Sequence, residues 1–300
     1  MRKIKFVTFS TTEGWLKRLV IGLVVILAPM VAEAKMRVAT SFYPVYIMTL
    51  NVARDIPGVE VFNATPSVAG CLHDYCLTTA DMKRLADADV LVVNGAGMES
   101  FLETVARRFK KLRVISVSGG IPLITGADGS VNPHVWVSVS DYIKQVRNLG
   151  AALASFDPEH AGSYKRNADE YISRLQALAD DMHGRLKPFA GRQIITFHEA
   201  FPYFAQEFGL KIAAVIEREP GSAPSARELA ATIDLIRKSG IKALFIEPQY
   251  PPAVAQTIAR QTGASLFTLD PAVTGPDSLD AYVSIMRKNL DVLVGALKQE

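Results

Sequence analysis

The sequence predicts an α/β protein of two lobes, each a mostly parallel four-stranded sheet flanked by helices, joined by one long backbone helix. Three observations predict it. Short, near-continuous apolar runs alternate with stretches of helical spacing, the pattern of a parallel sheet covered on both faces. That plan occurs twice along the chain. Between the two occurrences lies an unbroken helical pattern longer than most globular helices.

In the first half the strand candidates are 36–41 (MRVATS), 59–64 (VEVFNA), 90–94 (VLVVN) and 113–117 (RVISV). Helical spacing occupies 46–53, 79–88 and 98–110, and Thr79-Ala80-Asp81 ahead of Met82, Leu85 and Ala86 suits a helix entry. From 158 to 186 the apolar residues Tyr164, Ala168, Tyr171, Leu175, Leu178, Met182 and Leu186 fall three or four apart. Asp157 is placed to cap this helix, Pro158 to open it and Pro188 to stop it. Its length, roughly 40–45 Å, would hold the lobes at a nearly fixed spacing where a Gly/Ser linker would let them swing. Two shorter helices with a kink are the alternative.

In the second half the strand candidates are 193–196 (QIIT), 211–216 (KIAAVI), 243–247 (ALFIE) and 265–270 (SLFTLD), with helices at 200–208, 226–239 and 253–262. Gly209, Gly240 and Gly263 each follow a helix, where a left-handed residue is wanted. The expected division is therefore 1–34, 35–156 (first lobe), 157–187 (linking helix) and 188–300 (second lobe).

Residues 1–34 read as a cleavable signal peptide. Arg2, Lys3, Lys5, Lys17 and Arg18 form a basic leader, an apolar run follows from Leu19 to Met30, and Ala32-Glu33-Ala34 supplies a small-x-small cleavage pattern. The apolar run is short for a membrane anchor, and no cysteine lies near the cleavage point to take a lipid. The leader's five basic and two acidic residues (Glu13, Glu33) account for the whole formal charge of +3. The remaining chain of about 266 residues (300 minus 34) is near neutral, which argues against a nucleic-acid partner. Export, into a bacterial periplasm, follows, as does a monomeric soluble protein.

The chemistry-bearing residues concentrate at strand ends. Three of the five histidines are candidates: His73 follows the second strand, His134 the fourth, and His198 the first strand of the second lobe. Asp270 ends that lobe's fourth strand. Ligand crevices in open α/β sheets lie outside the carboxyl ends of the strands, so two facing lobes would aim all four side chains at one cleft. Three neutral imidazoles and a carboxylate suit a borderline divalent ion such as zinc, and four protein ligands close the coordination shell. Closed coordination argues for holding the ion over catalysis with it. Glu247, at the end of the third strand, is an alternative fourth ligand or an outer partner orienting a histidine. Glu199 follows His198, but the HExxH pattern of zinc hydrolases needs a histidine where this chain has Pro202. His160 and His183, on the linking helix, are expected to be solvated.

Cys71 and Cys76, the only cysteines, flank His73. In an oxidising compartment the expectation is a local disulfide fixing that loop; free thiols and direct metal ligation are the other readings.

The segments VATSFYP (38–44), HDYCLTTADMKRLADADVLVVNGAGMESFL (73–102), NPHVWVSVSD (132–141), FHEAFPYFAQEFGL (197–210), EREPGSAPSARELA (217–230), IEPQYPPAVA (246–255) and TLDPAVTG (268–275) follow one another in an order and spacing that resembles one family. It is the zinc/manganese-binding substrate-binding proteins of bacterial ABC importers, the ZnuA/TroA-like group. The resemblance covers essentially the whole chain after the leader. It implies one metal ion between the lobes, ligands His73, His134, His198 and Asp270, and delivery to a membrane permease driven by a cytoplasmic ATPase. His198 stands where manganese-type members tend to carry a carboxylate, which favours zinc, with manganese as the alternative ion. Leu72 stands where some zinc members carry an acid, which leaves Asp270 as fourth ligand. The 119–132 loop is short and lacks the histidines of longer metal-gathering loops. A zinc-dependent hydrolase with Glu199 or Glu247 as base, or an iron or manganese receptor of the same fold, is the competing expectation.

Overall fold

The computed structural model describes residues 36–66, 72, 75–126, 129–216 and 225–299. The leader lies outside them. Among the described residues no helix is long and apolar enough to cross a membrane.

All eight expected strands form. In the first lobe they are β1 (Met36–Thr40), β2 (Val59–Asn63), β3 (Val90–Val93) and β4 (Arg113–Ser116); in the second, β5 (Gln193–Thr196), β6 (Lys211–Val215), β7 (Ala243–Ile246) and β8 (Ser265–Thr268). Both sheets are wholly parallel, with orders β2-β1-β3-β4 and β6-β5-β7-β8. Each lobe's first strand is thus interior, and the chain winds first to one side of it and then to the other. The order reverses between β1 and β3 and between β5 and β7, so each sheet opens a crevice at that point beyond its strand ends.

The helices among the described residues are α1 (Tyr43–Val52), α2 (Thr79–Ala86), α3 (Leu102–Arg108), α4 (Val139–Phe156), α5 (Ala161–Leu186), α6 (Pro202–Phe208), α7 (Ala226–Ser239), α8 (Ala253–Thr262) and α9 (Ala281–Leu297). Local chemistry sets many of the ends. Thr78 with Asp81, and Ser225 with Glu228, form reciprocal capping boxes that satisfy first-turn amides. The glycines after α6, α7 and α8 are all left-handed, as expected.

Helix α5 is 26 residues long, about 39 Å, with short 3-10 turns at Pro158–His160 and Lys187–Phe189. All seven residues of its expected stripe are buried. The start differs from expectation. Asp157 makes no side-chain cap; its carboxylate instead takes the His160 ring at 2.8 Å and the Tyr164 hydroxyl at 3.1 Å. His160 is thereby a partnered side chain and not simply a solvated one.

Two long helices stand outside the elements expected from periodicity, α4 and α9, and both pack on α5. They make the core continuous. One cluster of buried apolar side chains runs from Val38 in the first sheet, through Leu175 and Leu178 of α5, to Phe245 of the second sheet and Leu293 of α9. A smaller cluster around Ile195, Leu244 and Ile258 fills the far side of the second sheet. Polar cross-braces join the lobes. The Tyr142 and Tyr282 rings stack at 3.8 Å, Tyr282 donates to the Trp136 carbonyl, and the Trp136 indole donates to the Pro271 carbonyl at 2.7 Å. Tyr43 and Asn51 reach the carbonyls of Pro276 and Leu279.

Because α5 is common to both lobes, Leu175→Ala should destabilise the protein by about 2–5 kcal/mol, as buried leucine truncations do, and unfolding should remain a single transition. Urea titration followed by circular dichroism and by Trp136 fluorescence tests this. Two separated transitions would show that the lobes do not share one core.

Candidate metal centre

His134 is carried by the loop between β4 and α4. An isolated antiparallel bridge, Thr125 to Val131, narrows that loop. The Asn132 side chain then accepts the His134 main-chain N–H at 3.0 Å, a turn that asparagine favours. A 3-10 turn at Val135–Val137 follows and buries Trp136. His198 arrives differently, two residues past the end of β5. Phe197 continues the strand by donating to the Phe245 carbonyl, and the sheet ends with His198 over the crevice. Both histidines are buried, at 1% and 2% exposure.

The two imidazoles meet. His134 Nε2 lies 3.3 Å from His198 Nε2, with the rings nearly perpendicular. Trp136 packs against the first ring and Tyr250 against the second. Two nitrogens bound 2.0–2.1 Å from one tetrahedral zinc would stand about 3.3–3.4 Å apart.

Two further candidate carboxylates lie just past strand ends of the second lobe. Glu247, just past β7, is 2% exposed. Burial pushes its pKa up to about 8; the Gln249 amide and the His198 main-chain N–H pull it down, while Asp270 adds to the rise. Gln249 donates to Oε2 at 2.5 Å, and Oε1 is buried with no hydrogen-bond partner among the described residues. Asp270, two residues past β8, is partly exposed. Asn289 clamps its main chain from both sides, and the Ala272 amide donates to Oδ1. Burial raises its pKa too, offset in part by that amide and by Lys288.

The other candidates are placed as follows. Glu199 turns its side chain to solvent, while its carbonyl accepts the Asn132 amide at 2.8 Å. His73 and Cys71 lie outside the described residues, although Leu72 between them is fully buried. The expected Cys71–Cys76 bridge is not formed: Cys76 is an exposed free thiol. Beside it, Tyr75 and Thr78 both donate to the Asp81 carboxylate. Among the described residues no three His, Cys, Asp or Glu side chains are spaced to hold a metal ion. The histidine pair is what the described structure brings together. Sequence reasoning missed Asn132, Trp136 and Tyr250; the Asn two positions before His134 was the one local signal.

Residues 38–296 match the family described as zinc-uptake complex component A, periplasmic. The chain belongs to this family. The family is one of metal-binding transport components and not of enzymes. The zinc-binding lipoprotein AdcA of Streptococcus pneumoniae serotype 4 is 29% identical over 291 residues, which take in 90% of this chain and 57% of AdcA. The chain thus spans little more than half the length of that relative. The high-affinity zinc uptake system protein ZnuA of Bacillus subtilis is 30% identical over 283 residues, 88% of each chain. Among solved structures, the substrate-binding protein FpvC of Pseudomonas aeruginosa, in complex with Mn2+, aligns at 33% identity with a TM-score of 0.80, over 88% of this chain and 99% of FpvC. Two parallel four-stranded sheets linked by a long helix are therefore the family's substrate-binding fold.

The raised pKa of Glu247 fixes a pH dependence for the metal-free protein. Below about pH 4.5, its ordinary value, the carboxyl is protonated folded or unfolded. As pH rises the unfolded chain releases the proton first, so stability falls until pH passes about 8, where the folded group ionises as well. Asp270 acts in the same sense. Urea midpoints in chelator should therefore fall between about pH 5 and pH 8, and Glu247→Gln should flatten the slope. An undiminished slope in the variant would assign the effect to another group.

Proposed function

We propose that this chain is the periplasmic receptor of an ABC importer, capturing one divalent transition ion between its lobes and delivering it to a membrane permease driven by a cytoplasmic ATPase. Zinc is the cargo we assign. The observation that carries the reading is the pair of buried imidazole nitrogens, one from each lobe, at 3.3 Å. That spacing suits two corners of a tetrahedral zinc site. Asp270 and His73 are the proposed remaining ligands. Three neutral imidazoles and one carboxylate leave about one net positive charge with Zn2+, and four protein donors leave no position for a reactive water. Glu247 serves as a buried acceptor beside the site and not as a hydrolytic base, and the exposed side chain of Glu199 faces away from that role.

The relatives support the assignment. AdcA and ZnuA are named for zinc, and FpvC was determined with Mn2+, which makes manganese the competing ion. The leader at 1–34 directs export, and 35–156, 157–187 and 188–300 are the proposed lobe, helix and lobe.

Titration calorimetry tests the ligand set. Zinc should bind one to one, and His198→Ala should weaken it at least about 100-fold, at or beyond the upper limit typical of an outer-shell residue. His183→Ala should leave affinity unchanged, since that half-exposed ring, near the C-terminal end of α5, pairs with Glu207 of α6. Equal effects would refute the histidine assignment. Imidazoles bind metal only when neutral, so affinity should drop steeply below about pH 6.5. The same affinity at about pH 7.5 and pH 5 would sink the three-histidine site.

A further inference from the structure

Asn132 does more than close a turn. Its Oδ1 accepts the His134 main-chain N–H at 3.0 Å and also faces the ring Nδ1 of His134 at 3.0 Å. Its Nδ2 donates to the Glu199 carbonyl of the second lobe, beside His198, at 2.8 Å. Tyr203 of α6 holds the same residue from the other side: its hydroxyl donates to the Asn132 carbonyl at 2.7 Å and accepts the Ile124 amide at 3.0 Å.

The orientation of this carboxamide is dictated by main-chain groups. A backbone N–H can only donate and a backbone C=O can only accept. Turning the amide over would set its NH2 against the His134 N–H and its oxygen against the Glu199 carbonyl. Oδ1 therefore faces the ring, Nδ1 must carry the imidazole proton, and Nε2 is left with its lone pair. Nε2 is the atom that meets His198 across the cleft.

We propose that Asn132 is a positioning residue that locks His134 in the Nδ1–H tautomer, its own orientation being set by the Glu199 carbonyl of the opposite lobe. The proposal deepens the metal-site reading and rests on it for its purpose: an outer hydrogen bond of this kind aims the ligand nitrogen and raises its basicity toward a cation. It also gives the two ligand-bearing segments a shared part. One side chain touches the first imidazole and the main chain next to the second.

Two variants separate the functions of the carboxamide. Asn132→Ala removes both contacts. Asn132→Asp keeps an oxygen acceptor for the ring and loses the donor to Glu199. The test is a long-range proton–nitrogen correlation spectrum of the metal-free protein, with histidines labelled with nitrogen-15 and His134 assigned by its loss in His134→Gln. Wild type should show His134 wholly as Nδ1–H, Asn132→Ala a mixture of tautomers, and Asn132→Asp a return to Nδ1–H. Zinc calorimetry on the same samples should show about a 10–100-fold loss for the alanine variant and recovery to within a few-fold of wild type for the aspartate. Should Asn132→Ala fail to fold, Asn132→Asp decides: an Nε2–H ring there overturns the proposal. So does a wild-type His134 in the Nε2–H form, or an alanine variant with a pure Nδ1–H ring and undiminished affinity. The spectrum needs no metal. A wild-type protein with the predicted tautomer but no zinc binding would therefore overturn the metal reading while upholding the role of Asn132.

Discussion

A buried hydrogen bond from the Trp136 indole to the Pro271 carbonyl holds this cleft together. Trp136 lies two residues after His134, and Pro271 directly follows Asp270, so the bond ties one candidate ligand segment of each lobe to the other. Its surroundings leave it little freedom. The edge of Phe42 packs on the indole, and Tyr282 closes the main chain by donating to the Trp136 carbonyl. An indole N–H left without a partner there would cost about 1–3 kcal/mol. The lobes are thus held by directional contacts as well as by the apolar stripe of α5, and the imidazole pair inherits its spacing from both.

The repeated sheet order explains why the chemistry collects where it does. In each lobe the reversal of strand order leaves the ends of two interior strands uncovered, and both are occupied by polar residues. In the first lobe Glu99, itself buried, accepts the amides of Asn94 and Gly95 and the hydroxyl of Ser41, and so closes the ends of β3 and β1. In the second lobe the equivalent ends carry Glu247 and His198. There the carboxylate lacks such a set of donors and one of its oxygens has no hydrogen bond among the described residues. Burial raises the pKa of Glu247 to about 8, so the group keeps its proton near neutrality and does not stand as an unpaired buried charge.

Much of this was legible in the sequence, for identifiable reasons. Strands buried on both faces read as apolar runs, so β1, β3, β5 and β7 stand out whatever the tertiary context. The glycines after α6, α7 and α8 mark helix ends because few other residues tolerate that backbone. The stripe of α5 is visible because every member is buried against something. The failures are equally specific. Helix α4 is preceded by Val135-Trp136-Val137-Ser138, whose apolar run reads like a strand, and the helical period becomes plain only from Tyr142 onward. Asp157 has the composition of a cap but spends its carboxylate on His160 and Tyr164. The cysteine spacing suggested a bridge, whereas Cys76 is an exposed free thiol. At the site, His198 was readable as a strand-end residue and His134 as part of the loop that follows the fourth strand. Asn132 was not, because its importance depends on a carbonyl 67 residues away.

The cross-braces also bear on the order in which the molecule can be built. Tyr43, Asn51 and Trp136 all donate to carbonyls between Pro271 and Leu279, separated from them by 233, 228 and 135 residues. A chain that emerges from its N-terminus carries these donors, and the buried rings that go with them, long before their acceptors exist. The first lobe cannot reach its final packing until the last tenth or so of the polypeptide has arrived, and contacts this distant in sequence form late. Assembly is therefore a whole-chain event, and truncation near the C-terminus would damage the half of the molecule made first.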